Sequence, residues 1–234
     1  YIYIYIYIYK FMYLIINSNT CVGSEVYKLL NLEYNSPLIG TLIVDDMDYI
    51  YLIKNFKKII TYDFVCNTIP KIDSIFEKQT SYKYYNHKSI NIPYPIININ
   101  NIDIHCIHEN NIDICLEKFK RRLNRCNNII KENQEYKIIN IMVFSEIINI
   151  YDDYNLVIKN FLSNQDNNTI NIFLGPEKYY IETDLKKYNI YIVHSNFNNI
   201  NTNKRDESNI MIGNNQDVSS EIIKNFIINN ILFK

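Results

Sequence analysis

Cys21 lies in the stretch Asn17-Ser18-Asn19-Thr20-Cys21-Val22-Gly23-Ser24, between an apolar run of strand length and a segment with helical spacing. A loop of this kind can hold an anionic group on its amides and on the helix N-terminus, with the thiol as nucleophile. Ordinary helix capping uses the same residue types, and a tight turn at Gly23 suits either role. His108 follows Ile102–Ile107, which alternates as a strand, and a strand end is a position suited to a general acid or base. His105 and Cys106 precede it. On a strand, His105 and His108 point to opposite faces, whereas Cys106 and His108 share one. No further ligand is spaced nearby, so no metal site is expected. His105 reads as structural, paired with Asp103 on its own face. Lys118, Arg121, Arg122 and Arg125 fall at i, i+3, i+4 and i+7, one basic stripe opposite an apolar face. Arg forks suit phosphate or carboxylate bidentately. A solvated helix face would show the same stripe.

Composition decides how much weight these residues carry. The 234 residues include 47 Ile, 37 Asn and 22 Tyr, against four Gly, four Arg and no Ala, which follows AT-rich codon usage. Single Ile and Asn residues therefore say little, whereas three of four arginines on one stripe say more. Tyr1–Tyr9 alternates Tyr and Ile as a translated TA repeat would, and the sequence begins without Met, as a fragment would. Residues 1–10 are read as a low-complexity tract and 11–234 as a single domain. A net charge of −1 gives no basic surplus for nucleic acid. Tyr1–Ile16 contains Lys10 and falls short of the ~20 apolar residues of a membrane span. Five cysteines without CxxC spacing imply neither a disulfide framework nor a zinc ribbon, so a reduced, cytoplasmic setting is expected. GxGxxG, P-loop and GxSxG motifs are absent, and no cofactor is indicated.

These residues need elements to position them. Period and punctuation predict strands at Phe11–Asn17, Leu38–Val44, Ile102–Ile107, Ile138–Phe144, Ile170–Leu174 and Ile190–Val193. Helices are expected over Ser24–Leu30, from Asp45-Asp46 to about Ile60, over Ile112–Ile130, and near 151–162. A last helix, Ser219–Phe233, is expected to be capped by Ser219 or Ser220. The acidic pairs Asp45-Asp46 and Asp152-Asp153 read as helix N-terminal charges. Residues 61–100, with Pro70, Pro93 and Pro95, read as irregular, and 196–217 as a loop or lid. Alternating strands and helices imply an α/β fold, a largely parallel sheet with flanking helices in Rossmann-like layering. Ligands of such sheets sit outside the carboxyl ends of the strands. Asn17–Cys21, His108-Glu109, Ser145-Glu146 and His194-Ser195-Asn196 all fall at such ends.

Several stretches form an ordered set: Ile16–Gly23, then Tyr27, then Tyr34-Asn35-Ser36-Pro37-Leu38-Ile39-Gly40, then Asp48-Tyr49-Ile50. With Tyr94-Pro95, Ile102–His108 and the helix bearing Arg121, Arg122 and Arg125, the set resembles the bacterial domain of unknown function 1919 family, over about residues 11–234. Val22 stands where that family has Trp, Ser24 where it has a second Gly, and Glu146 where it has Asp. Its activity is not established, and its members carry names such as exopolysaccharide biosynthesis protein. The resemblance implies a transferase acting on a glycan precursor with an anionic donor. His108 would be the base, and Cys21 or the loop amides would hold the reacting group. Asn19, Gly23 and Ser36 would line the cleft, while Arg121, Arg122 and Arg125 bind the donor. The rival is a non-catalytic glycan- or protein-binding module, favoured by the altered Trp and Gly positions. Cys21, Ser36, His108 and the arginines converging in one cleft would favour the enzyme. His108 buried among apolar groups with the arginines facing open solvent would rule the enzyme out. The expected partner is a small molecule or glycan, and oligomeric state stays open.

Overall fold

The computed structural model describes residues 12–43, 45–59, 70–73, 94–109, 111–132, 135–143, 166–175, 189–194 and 214–232. In chain order the elements are β1 (Tyr13–Ser18), α1 (Val22–Leu29), α2 (Asp46–Lys54), α3 (Phe56–Ile59), β2 (Pro70–Asp73), β3 (Tyr94–Ile99), β4 (Ile102–His105), α4 (Ile112–Lys131), β5 (Tyr136–Val143), β6 (Thr169–Gly175), β7 (Ile190–His194) and α5 (Asn214–Ile227). A π-helical turn, Ile228–Leu232, follows α5. Strands β1-β5-β6-β7 form a parallel sheet, and β2-β3-β4 form a small antiparallel one. The expected α/β fold, a parallel sheet with flanking helices, is therefore the observed one. Among the described residues no helix is long and apolar enough to cross a membrane.

Parallel strands covered on both faces read as near-continuous apolar runs, and β1 and β5 do so, interrupted in their buried stretches at Asn17 and Asn140. One face presents Leu14, Ile16, Ile139, Ile141, Ile172 and Leu174 to α1 and α5. The other presents Ile15, Ile138, Met142 and Phe173 to α2, α4 and the small sheet. β1 is an edge strand, and its outward backbone groups need partners. Tyr27 supplies them: its hydroxyl accepts from Ile16 N–H at 2.7 Å and donates to the Leu14 carbonyl at 3.3 Å. Asn35 Nδ2 donates to the same carbonyl at 3.3 Å. The tight seating of α1 on β1 requires Gly23, because a Cβ there would lie 2.9 Å from the Ser18 Cβ. Helix propensity alone favours Gly23→Ala by about 1 kcal/mol. Overpacking is expected to outweigh it, with a net loss of about 1 kcal/mol or more. A lower urea midpoint with unchanged slope would report this, and a raised midpoint would show that the contact relaxes freely.

Several local expectations are corrected. Leu38–Val44 is not a strand: the segment turns at Pro37–Gly40, with Gly40 at φ +70°, and only Leu42 bridges to His105. Leu38, Ile39, Leu42 and Ile43 are buried all the same, so burial mimicked a strand pattern, and Val44 lies outside the described residues. Within 61–100, Pro70–Asp73 and Tyr94–Ile99 are strands; Pro70 and Pro95 stand at strand beginnings, where a missing N–H is tolerated. The helix expected from Asp45 to Ile60 is interrupted at Asn55. Asp45 does cap α2, accepting from Met47 and Asp48 N–H at 2.8 and 3.0 Å. Asp46, however, is buried, and burial with the neighbouring Asp45 pushes its carboxyl up to about 8, so it is not an N-terminal charge at pH 7. α5 starts at Asn214, so 214–217 are helical where a loop or lid is expected, and Ser220 is buried inside the helix rather than at its cap. Ser145-Glu146, Asp152-Asp153, the helix expected near 151–162 and residues 196–213 lie outside the described residues.

Candidate active site

A cleft of about 440 Å³ opens at the β1 edge of the parallel sheet, just beyond the carboxyl end of β1. Its walls are one face of α1 (Cys21, Ser24, Glu25 and Lys28), the segment 34–41, the turn Cys106–Glu109, and the Cys115–Arg122 side of α4. Cys21 is the N-cap of α1 but makes no side-chain cap bond. Its Sγ lies instead 2.9 Å from His108 Nε2, across 87 residues of sequence. Burial, then Glu25, push the Cys21 thiol up to about 11, with Lys28 opposing. Burial also lowers His108 from its ordinary 6.5, although Glu109 opposes the shift. Near pH 7 the pair is a neutral thiol and a neutral imidazole. The S–H then donates to Nε2, which places the ring proton on Nδ1. Gly40 borders the ring, and its φ of +70° is the left-handed conformation that favours glycine; a Cβ there would meet His108 Cδ2 at 3.8 Å, an ordinary contact. Ser24 Oγ accepts from Gly40 N–H at 3.1 Å and fixes that turn against α1.

Alkylation of Cys21 should follow from this burial. The thiolate is the reactive form, so labelling by iodoacetamide is expected to be slow at pH 7. It should rise about tenfold per pH unit until pH approaches 11. Mass spectrometry of the Cys21 peptide across pH tests this; fast labelling at pH 6 would contradict it.

Charge in the cleft is largely matched. Lys28 pairs with Glu25 at 2.6 Å and Lys118 with Glu109 at 2.5 Å. Arg122 is different. It donates to the Ile39 carbonyl at 2.6 Å and lies over the Tyr34 ring, 5.6 Å from its centroid. Among the described residues no carboxylate forms an ion pair with it. Burial lowers its pKa, and the neighbouring Arg121 adds to the effect. At about 100° per residue, Arg122 points about 20° from Cys115 and so borders the apolar face. Arg121 points about 120° away and is exposed. The stripe thus flanks the apolar face rather than opposing it. Arg125 forms an ion pair with Glu33 and does not line the cleft.

The remaining sequence-predicted site residues are structural neighbours of the cleft. Asn19 is buried, with both amide atoms on Val143: Nδ2 donates to its carbonyl and Oδ1 accepts its N–H, each at 2.9 Å. This side chain continues the β1–β5 pairing past Ser18 and anchors the loop holding Cys21. Gly23 is packed on Ser18, as described above. Ser36 is fully buried, donating to Asn17 Oδ1 at 2.6 Å and accepting from Leu38 N–H at 3.1 Å. Asn17, Asn140 and Asn171 stand in register on adjacent strands and continue that chain. Asn17 Nδ2 donates to Asn140 Oδ1, and Asn140 Nδ2 donates to Asn171 Oδ1, each at 2.8 Å.

The structure therefore brings Cys21, His108 and Arg122 together, and leaves Asn19, Gly23, Ser36, Arg121 and Arg125 outside the cleft lining. Sequence reasoning does not single out Glu25 and Lys28, and it meets Glu109, Lys118, Tyr34 and Cys115 without naming them as site residues. A signal existed for some of them: Cys21, Ser24, Glu25 and Lys28 fall at i, i+3, i+4 and i+7, one face of a helix. No curated protein matches the chain. The sequence model described as Domain of unknown function (DUF1919) matches residues 10–140, a stretch that carries the whole cleft lining, Thr20 to Arg122. The chain belongs to the DUF1919 family.

Proposed function

We propose that the chain is a transferase in which Cys21 takes an acyl group from an anionic thioester donor and passes it to a glycan acceptor. The observation that carries this reading is the 2.9 Å contact between Cys21 Sγ and His108 Nε2 in a cleft that also holds Arg122. A half-buried neutral thiol is a weak nucleophile until a base takes its proton. His108 Nε2 accepts that proton as the sulfur attacks the donor carbonyl, and the imidazolium returns it to the departing thiolate. In the second half, His108 takes the proton of an acceptor hydroxyl, whose oxygen attacks the Cys21 thioester; the proton then returns to the Cys21 sulfur. The N-terminus of α1 lies beside the sulfur and favours negative charge growing on the carbonyl oxygen. Arg122 binds the donor's phosphate or carboxylate. The glycan acceptor rests on the family resemblance alone.

Thermal-shift screening against acyl thioesters and nucleotide sugars, followed by intact mass, tests the reading. At a hundredfold excess over Kd a donor should add about 2.7 kcal/mol of stability. An acyl thioester should also leave an acyl group on Cys21. The alternative, a non-catalytic glycan- or protein-binding module, is favoured by the exposure of Arg121. It predicts stabilisation by none of the donors and no adduct.

A further inference from the structure

Two thiols on the cleft wall take no part in the transfer chemistry. Cys106 follows β4 and Cys115 lies in the first turn of α4, so they stand at the two ends of the turn that carries His108. Both line the cleft, and both are more than nine-tenths buried. Their side chains are hydrogen-bonded to each other. Backbone bonds hold each in place. Cys106 N–H donates to the Pro95 carbonyl at 2.9 Å, and the Cys106 carbonyl accepts from Glu109 N–H at 3.0 Å. Cys115 N–H donates to the Asn111 carbonyl at 3.1 Å, while the Asn111 side chain caps α4 through Asp113 and Ile114 N–H.

The pair is asymmetric. The Cys106 S–H donates to the Cys115 sulfur, which favours a thiolate at Cys115 and raises the Cys106 thiol. Arg122 and Lys118 also favour the Cys115 thiolate, against burial and Glu109. Cys126, further along α4, provides a contrast, because burial pushes its thiol up to about 12. The thiolate is the form that peroxides oxidise. Two thiols that line the cleft while only 2% and 3% exposed favour a small oxidant over a bulky one.

We propose that Cys106 and Cys115 form an oxidisable dithiol whose oxidant is a small hydroperoxide, closing to a disulfide across the His108 turn. The Cys115 sulfur attacks one peroxide oxygen and the O–O bond breaks. That sulfur becomes a sulfenic acid, and the other oxygen leaves as water with the thiol proton. The Cys106 sulfur then attacks the sulfenic sulfur, the S–S bond forms, the S–O bond breaks, and the hydroxyl leaves as water with the Cys106 proton. One hydrogen peroxide is reduced to two waters while the two thiols lose two electrons. Constraint of His108 by the closed turn would matter to the transfer reaction only if the proposed function holds. The dithiol itself does not depend on that reading.

The test therefore uses no transfer activity. Reduced protein is treated with hydrogen peroxide, its remaining thiols are blocked, and it is digested after Glu without reduction. Cleavage after Glu109 separates Cys106 from Cys115, so a disulfide keeps the two peptides joined until dithiothreitol is added. The expected result is that joined pair, with loss of two hydrogens from the intact mass. Cys106→Ser and Cys115→Ser should each abolish it, and Cys126→Ser should leave it unchanged. Separate, alkylated Cys106 and Cys115 peptides after treatment would overturn the proposal, as would a bridge from either thiol to Cys21 or Cys66. The wild-type digest decides the matter alone if a serine variant fails to fold.

Discussion

His108→Gln is expected to slow single-turnover acylation of Cys21 about 10²–10⁴-fold, the usual contribution of a positioned base. Gln fills similar space but offers no ring nitrogen to take the thiol proton 2.9 Å away. The pH profile separates loss of a base from general damage. His108 accepts a proton only when neutral, and burial lowers its pKa from 6.5. Wild-type acylation should therefore rise with pH through a value below 6.5 and stay level above it. In His108→Gln that acid limb should vanish, and the rate should climb only as the thiol itself ionises towards about 11. Intact-mass measurement of acyl-Cys21 with a fixed thioester reports both. Equal rates and equal profiles in the two proteins would remove His108 from the mechanism.

Asn140→Ala is expected to cost about 3–5 kcal/mol of stability. Asn140 is the middle of a buried chain running from Ser36 through Asn17 to Asn171, and it both accepts and donates at 2.8 Å. Truncation leaves the Asn17 amide group and the Asn171 carbonyl oxygen without these bonds. Each broken buried bond costs about 1–3 kcal/mol, and the cavity adds to that. Total stability of a domain is only about 5–15 kcal/mol, so the loss is a large fraction of it. A fall in Tm of about 2–4 °C per kcal/mol is the expected readout. A change of under 1 kcal/mol would mean that water replaces the lost partners, contrary to the burial of all three asparagines.

Legibility followed the physics of each element. β5, β6, β7 and α4 were readable because local period alone determines them: mostly apolar runs of strand length, and Cys115, Phe119, Leu123 and Cys126 at helical spacing. Leu38–Val44 misled for the same reason, since an apolar run records burial and not backbone shape. β2 and β3 were hidden by prolines that stand at strand beginnings. The asparagines fared worst. With 37 Asn in the chain no single one stands out, and the in-register row exists only because β1, β5 and β6 are adjacent and parallel.

Chain order and residue type were enough to place Cys21 beyond a strand, His108 beyond another, and Arg122 on an amphipathic helix, because strand ends and helix faces are local properties. Only tertiary packing could set a thiol 2.9 Å from an imidazole across 87 residues, or divide Arg122 in the cleft from Arg121 in solvent. Such contacts depend on which elements become neighbours, and that is decided by burial of the two sheet faces rather than by spacing along the chain. The charge states follow the same rule. A protonated Asp46 at pH 7 is a consequence of desolvation, which also pushes the Cys21 thiol up and His108 down, and no single residue carries that in its sequence position.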